Sequence, residues 1–216
     1  MERGKIGIIT GLTAEARWLR EAGFMVQAGG GTPLGAERAA QALAREGAQG
    51  LVSFGLAGGL KPGLSPGSIL VPPAVIEGTR TYICDFALME FLGGSTGTSI
   101  LAGQKIAATA HDKALLYRRS HPAAIDLESG AVGRVAAEKG LPFAVLRAVT
   151  DPAELDLPPA AMVALKDNGS VDLVKVLLSV LKQPKQVPGL IALGRDAKAA
   201  RAALIARVKT LPPRTF

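Results

Sequence analysis

Short runs of β-branched and aliphatic residues alternate along this chain with Ala-rich stretches of helical period. Ile6–Ile9 reads as a buried strand closed by Gly11. Thr13 is placed to cap a helix over about 14–22, which Gly23 stops. Gly29–Gly35 reads as a loop, 36–46 as a helix, and Leu51–Phe54 as a strand running into Gly55-Leu-Ala-Gly-Gly59. Strand patterns follow at 68–71, 75–77, 99–101, 106–109 and 124–127, with helical ones at 111–120 and 129–139. Pro142–Val149 is a further buried strand that Thr150-Asp-Pro152 ends sharply. The pattern then changes to a helix over 171–181, a linker at 183–188 and a long helix over 190–208. Strands alternating with helices predict an α/β fold: three layers, α/β/α, around a central mixed sheet, with a C-terminal helical extension. The domain reading is 1–182 for the α/β unit and 183–216 for the extension.

Charge sharpens that division. The chain carries a net +7, but residues 1–174 hold 16 Lys+Arg against 17 Asp+Glu, whereas 175–216 hold nine against one. A neutral domain with a basic tail points to a local surface or partner rather than to general nucleic-acid binding. Aromatics at 4% also provide poorly for base stacking along a strand, so no nucleic-acid partner is expected. One cysteine and two histidines leave too few ligands for a structural zinc site, and no metal or organic cofactor is expected. No stretch has the length and apolarity of a membrane span, and the start of the chain reads as a first strand rather than a signal peptide, so a cytoplasmic protein is expected.

Ligands of open α/β sheets bind beyond the carboxyl ends of strands. Four segments end there with an acid or glycines: Gly11 to Glu15, Gly55–Gly59, Glu128 and Asp151. Taken singly, a strand-end acid is more often a helix cap than a catalyst. Asp151 differs, since it follows a long apolar strand and precedes Pro, where desolvation would help it hold a proton.

Four passages in this order resemble the purine nucleoside phosphorylase and methylthioadenosine/adenosylhomocysteine nucleosidase superfamily. They are Lys5-Ile-Gly-Ile-Ile-Thr-Gly-Leu-Thr-Ala-Glu15, Ser53-Phe-Gly-Leu-Ala-Gly-Gly-Leu60 with Pro66–Val71, Ile125-Asp-Leu-Glu-Ser129, and Val145-Leu-Arg-Ala-Val-Thr-Asp151. The resemblance implies that Asp151 protonates the departing adenine at N7 and that Glu15 orients an attacking water. It implies that Glu128, beside Leu127, holds the ribose hydroxyls, with Gly11, Leu56, Gly58 and Ile106 around the substrate. Glycosidic cleavage through an oxocarbenium-like state needs such carboxylates. Within the superfamily the chain is most similar to the hopanoid-associated phosphorylases, which release adenine from adenosylhopane. Asp126–Ser129, Ala148–Ala153 and the tail from Gln183 to Asp196 carry that narrower match.

Some positions depart from the family pattern. Leu56 stands where a Ser or Thr usually anchors the nucleophile, and no Arg is evident near Ser53 to hold phosphate. Ile106 stands where nucleosidases carry a base-stacking Phe, and residues 24–30 are too short for the family's second hairpin. Hydrolysis and phosphorolysis, with inorganic phosphate as co-substrate, therefore both stay open. So do a methylthioadenosine/adenosylhomocysteine-type nucleosidase and a catalytically silent nucleoside- or lipid-binding member. The resemblance implies a homodimer or larger assembly. For a lipid-linked nucleoside, one face of the tail helix, with Arg195, Lys198 and Lys209 and with Arg201 at its edge, would make peripheral membrane contact. Tyr82, Cys84 and Asp85 are placed to border the substrate channel.

Overall fold

The computed structural model describes residues 2–163, 179 and 182–212. Strand β1 (Ile6–Thr10) is buried along its whole length, which suits its Ile-rich sequence. β2 (Met25–Ala28) and β3 (Gly50–Gly59) flank it, both parallel. β9 (Phe143–Asp151) runs parallel to β3 on the other side, from Leu51 opposite Phe143 to Gly58 opposite Asp151. β4 (Ile69–Leu70) pairs antiparallel with β9. Beyond Gly58, β8 (Ala124–Asp126) joins β3 antiparallel, followed by β7 (Ile100–Ala102), β5 (Ala74–Glu77) and the hairpin partner β6 (Arg80–Ile83). The sheet is thus mixed, because short strands turn back across the ends of long parallel ones.

Helices cover both sides of this sheet. α1 (Thr13–Glu21) follows β1, and α2 (Pro33–Arg45) packs on β1, β2 and α5 (Ser129–Lys139). α3 (Phe86–Phe91) starts at Asp85, whose carboxylate caps Leu88 N–H. α4 (Ala110–Ser120) is capped by Thr109. α6 (Pro159–Val163) is short, and α7 (Val187–Thr210) lies on β9, β3 and β4. α7 buries Ala200, Leu204 and Val208 in the same core as Ile8, Val52 and Leu146. Its apolar stripe fades toward the start, where Leu190 and Leu193 are half-buried.

Several elements differ from the sequence reading. Gly55–Gly59 is strand, not loop, because β3 continues between β9 and β8. Residues 106–109 form no strand, and Met25–Ala28, Arg80–Ile83 and Phe86–Phe91 are regular elements the pattern did not reveal. The 29–35 loop ends early, since Thr32 caps α2 and Pro33 opens it. Leu12, not Thr13, precedes α1, without a side-chain cap. The tail helix starts at Val187, within the stretch read as linker. The helix expected over 171–181 lies outside the described residues, apart from Ser179.

Candidate functional site

Arg147 organises the site. It stands midway along β9, 1% exposed, where an unpaired cation would be very costly. Its Nε donates to Asp126 Oδ2 at 2.7 Å, Nη1 to Glu128 Oε2 at 3.3 Å, and Nη2 to Ser53 Oγ at 2.6 Å. The guanidinium therefore ties β9 to β3 and to the β8–α5 turn. Gly55, at φ 149°, makes this possible, since a Cβ there would come within 2.6 Å of Nη1. Burial works against the charge on Arg147, but Asp126, Glu128 and Glu15 outweigh it and push its pKa up.

Local chain geometry aims the acids. Asp126 Oδ1 accepts from Glu128 N–H, Ser129 N–H and the Ser129 hydroxyl, at 3.0, 2.9 and 2.7 Å. Asp126 thus satisfies the start of α5, so the Glu128 side chain is not needed as its cap. Glu128 lies at Gly11, whose absent Cβ would stand 3.2 Å from Oε2. Glu15, in the first turn of α1, is 1% exposed, and its Oε2 accepts from Thr10 at the end of β1. The Oε1 atoms of Glu15 and Glu128 are both buried without a hydrogen-bond partner among the described residues. Burial pushes Glu15 up, against the Thr10 hydrogen bond and the charges of Arg201 and Arg147. Burial likewise raises Glu128 to about 7; Arg147 opposes this, and Asp126 and Glu15 add to it. Two carboxylates thus reach toward groups that the protein itself does not supply.

Asp151 occupies the end of β9, on the far side of Gly58, where an added Cβ would lie 3.3 Å from Oδ2. It does not stand alone in apolar surroundings, as its position in the sequence suggests. Lys113 of α4, fully buried, donates from Nζ to Asp151 Oδ2 at 2.6 Å. The Thr150 hydroxyl lies 2.9 Å from Oδ1.

Gly11 and Gly58 adjoin Glu128 and Asp151, and Arg147 links Glu128 electrostatically to Glu15. Leu127 is half-buried between Asp126 and Glu128, and Leu56 packs on the hydrophobic core. Ile106 is 40% exposed on the loop after β7. Tyr82, Cys84 and Asp85 do not border this site. They line a separate cavity of about 500 Å³ with Phe143, at the opposite end of β9 from Asp151. The sequence reading missed the parts played by Thr10, Lys113, Asp126, Arg147 and Arg201. A lone Arg inside an apolar strand was a signal for Arg147; Lys113 gave none, since it sits in an ordinary polar helix. Arg201, read at the edge of the basic face, is half-buried, and its Nε has no partner among the described residues. Among the described residues no group of His, Cys, Asp and Glu could hold a metal ion, and no helix is long and apolar enough to cross a membrane.

No protein-family model matches the chain, and no curated protein matches its sequence. Solved structures do match its shape. One is a 5′-methylthioadenosine/S-adenosylhomocysteine nucleosidase from Neisseria meningitidis in complex with methylthio-immucillin-A. Its TM-score is 0.68 at 17% identity, over 95% of this chain and 98% of that one. An S-adenosylhomocysteine nucleosidase from Streptococcus pyogenes, in complex with 5-methylthiotubercidin, gives 0.66 at 16%, over 98% and 99%. Futalosine hydrolase of Helicobacter pylori gives 0.67 at 15%, over 97% and 99%. At such identities the likeness establishes architecture, and the chain has the fold of these nucleosidases over nearly its whole length.

Proposed function

We propose that the protein hydrolyses the N-glycosidic bond of a 5′-substituted adenosine and releases adenine. The observation that carries this reading is the buried, unpartnered Oε1 of Glu15 beside that of Glu128. A water held at Glu15 would attack C1′ while Glu15 takes its proton, and the raised pKa of Glu15 suits a base working near neutrality. Glu128 Oε1 would accept from a ribose hydroxyl. Asp126 and Glu128 bond to Arg147, whose charge reaches Glu15 together with that of Arg201, and the unpartnered carboxylate oxygens suit an oxocarbenium-like sugar. Asp151 would deliver the proton to the leaving base. The fold shared with nucleosidases of methylthioadenosine and adenosylhomocysteine supports the same chemistry.

A specific observation favours phosphorolysis as a second reading. Arg201 places its charge close enough to lower the Glu15 carboxyl, and its buried Nε has no partner, so it could help hold an anion there. Methylthioadenosine incubated with and without phosphate separates the two. Free methylthioribose at equal rates in both buffers supports hydrolysis. A phosphate-dependent sugar 1-phosphate overturns it in favour of phosphorolysis.

For the natural substrate we propose adenosylhopane, on the similarity of residues 126–129, 148–153 and 183–196 to the hopanoid-associated enzymes. A substrate residing in a bilayer calls for a docking face, and Arg195, Lys198 and Lys209 are exposed along α7. Truncating the tail would strip Leu204 and Val208 from the core, so substitution is the suitable test. Replacing these three residues with Glu is expected to abolish salt-sensitive binding to anionic vesicles without slowing cleavage of methylthioadenosine. Unchanged vesicle binding would discard the docking face.

A further inference from the structure

Lys113 is an expensive residue to keep. It is fully buried in the first turns of α4, and all three donors are spent on one segment. Nζ lies 2.6 Å from Asp151 Oδ2, 2.9 Å from the Pro152 carbonyl and 2.9 Å from the Leu155 carbonyl. That segment is already clamped to the same region without Lys113. Asp156 Oδ1 accepts from Ala110 N–H at 2.7 Å, and Leu157 N–H donates to the Ala108 carbonyl at 2.7 Å. A buried ion pair adds little stability over apolar residues of similar size. Anchoring therefore does not account for a lysine whose ammonium is aimed at one carboxylate. That carboxylate is the group read above as the proton donor to the base, and its Oδ2 is held by the ammonium.

We propose that Lys113 and Asp151 work as one general acid, in which Lys113 stores the proton and Asp151 relays it. This inference rests on the nucleosidase reading of the site. As the bond from C1′ to N9 breaks, its electron pair passes into the purine and N7 gains basicity. Asp151 gives N7 a proton and takes one from Lys113 Nζ, which is left as a neutral amine. The water adding to C1′ surrenders its own proton to Glu15. Once products leave, a solvent proton returns to Lys113 through Asp151 and Glu15 gives up the one it took, so protons balance over the turnover. An ammonium donor is well matched to a purine anion, a much stronger base than an ordinary carboxylate. Lys113 is thus a positioning residue that acts through Asp151, and two neighbours support the relay. The Thr150 hydroxyl lies 2.9 Å from Asp151 Oδ1 and 3.1 Å from the Ala57 carbonyl and can donate to either, and Gly58 leaves Oδ2 uncovered by any side chain of its own.

The test compares two leaving groups from the same sugar, the adenine of methylthioadenosine and the 4-nitrophenolate of the matching 5′-methylthio riboside. Nitrophenolate departs as an anion and needs no proton. In Lys113→Met, kcat/KM for adenine release should fall at least about 10²-fold, while nitrophenolate release changes less than about threefold. Lys113→Gln keeps hydrogen-bond donors but has no transferable proton; it should show the same split, and it stands in if Lys113→Met does not fold. Lys113→Met added to Asp151→Asn should cost adenine release nothing further. Equal losses with both leaving groups, or wild-type adenine release by either variant, overturns the relay. A wild-type protein that releases adenine under neither buffer condition overturns the nucleosidase reading, and the relay with it.

Discussion

Two buried clusters of charge lie along β9, one at Arg147 beside Gly55 and one at Asp151 beside Gly58, and they are built to opposite rules. Around Arg147, Asp126 and Glu128 bond to one guanidinium whose charge also reaches Glu15, and two carboxylate oxygens are left without partners. Around Asp151, one acid meets one ammonium, and every donor of Lys113 is used. The same residue types thus make one cluster with unpartnered carboxylate oxygens and one in which every donor of the ammonium is paired. The first can accept hydroxyl protons and favour a cationic sugar. The second begins as a paired acid and ammonium, from which a proton can be handed over. On the proposed reading, the unpaired acceptors grip the sugar and the closed pair keeps the proton.

The largest expected effect breaks the first cluster. Arg147→Met leaves the acids facing one another without their cation, and should cost about 3–5 kcal/mol of stability or prevent folding; urea denaturation reads it. Replacing both partners of the second cluster, as Lys113→Met with Asp151→Asn, should leave the denaturation midpoint close to wild type, because no charge is stranded. A comparable loss in both variants would erase the distinction between the clusters.

Next in size is Glu15→Gln. It should lower kcat by about 10²–10⁴-fold, since the amide cannot take the proton of water. Stability should hold or rise, because burial already disfavours the charged form of Glu15. An active Glu15→Gln protein would remove the basis for hydrolysis.

Glu128 sharpens the comparison through pH. Its pKa of about 7 in the folded protein lies above the ordinary 4.5. Between those values the folded state keeps a proton that the unfolded chain has lost. Stability should therefore fall as pH rises from about 4.5 to 7 and then level off, by at most about 3 kcal/mol from this group. Glu128→Gln should flatten that slope in thermal melts across the range. Because ribose hydroxyls need the ionised acceptor, kcat/KM should rise with pH through about 7. A pH-independent kcat/KM would argue that Glu128 does not grip the sugar.

The smallest effect belongs to Thr10→Val, which removes the hydrogen bond holding Glu15 Oε2. It should cost about 1 kcal/mol of stability, and a few-fold in kcat as Glu15 loses its orientation. An unchanged rate would leave Glu15 positioned by packing alone.

Much of this was legible in the residues. Periodicity placed β1, α5, most of β9 and most of the C-terminal helix, because runs such as Ile6–Ile9 and Pro142–Val149 can be buried in only one way. Strand-end position singled out Glu15, Glu128 and Asp151, since the carboxyl ends of a largely parallel sheet converge. Short or exposed elements escaped: Arg80–Ile83 has little apolar pattern, and Phe86–Phe91 is held by its Asp85 cap and by burial of Leu88 and Met89. The glycines of 55–59 read as the end of a strand, because composition alone cannot distinguish freedom from clearance. Only the fold gives their reason, which is space for Arg147 beside Gly55 and for Asp151 beside Gly58. Partnership also lay beyond the sequence by itself. Residues 113 and 151 are 38 apart in the chain, and 53 and 147 are 94 apart, and nothing in either neighbourhood names the other. The sequence determined which residues could carry charge and which strands would be buried. Tertiary structure decided which charges meet, because a buried ion needs its counter-ion within hydrogen-bond reach and only packing brings distant segments that close.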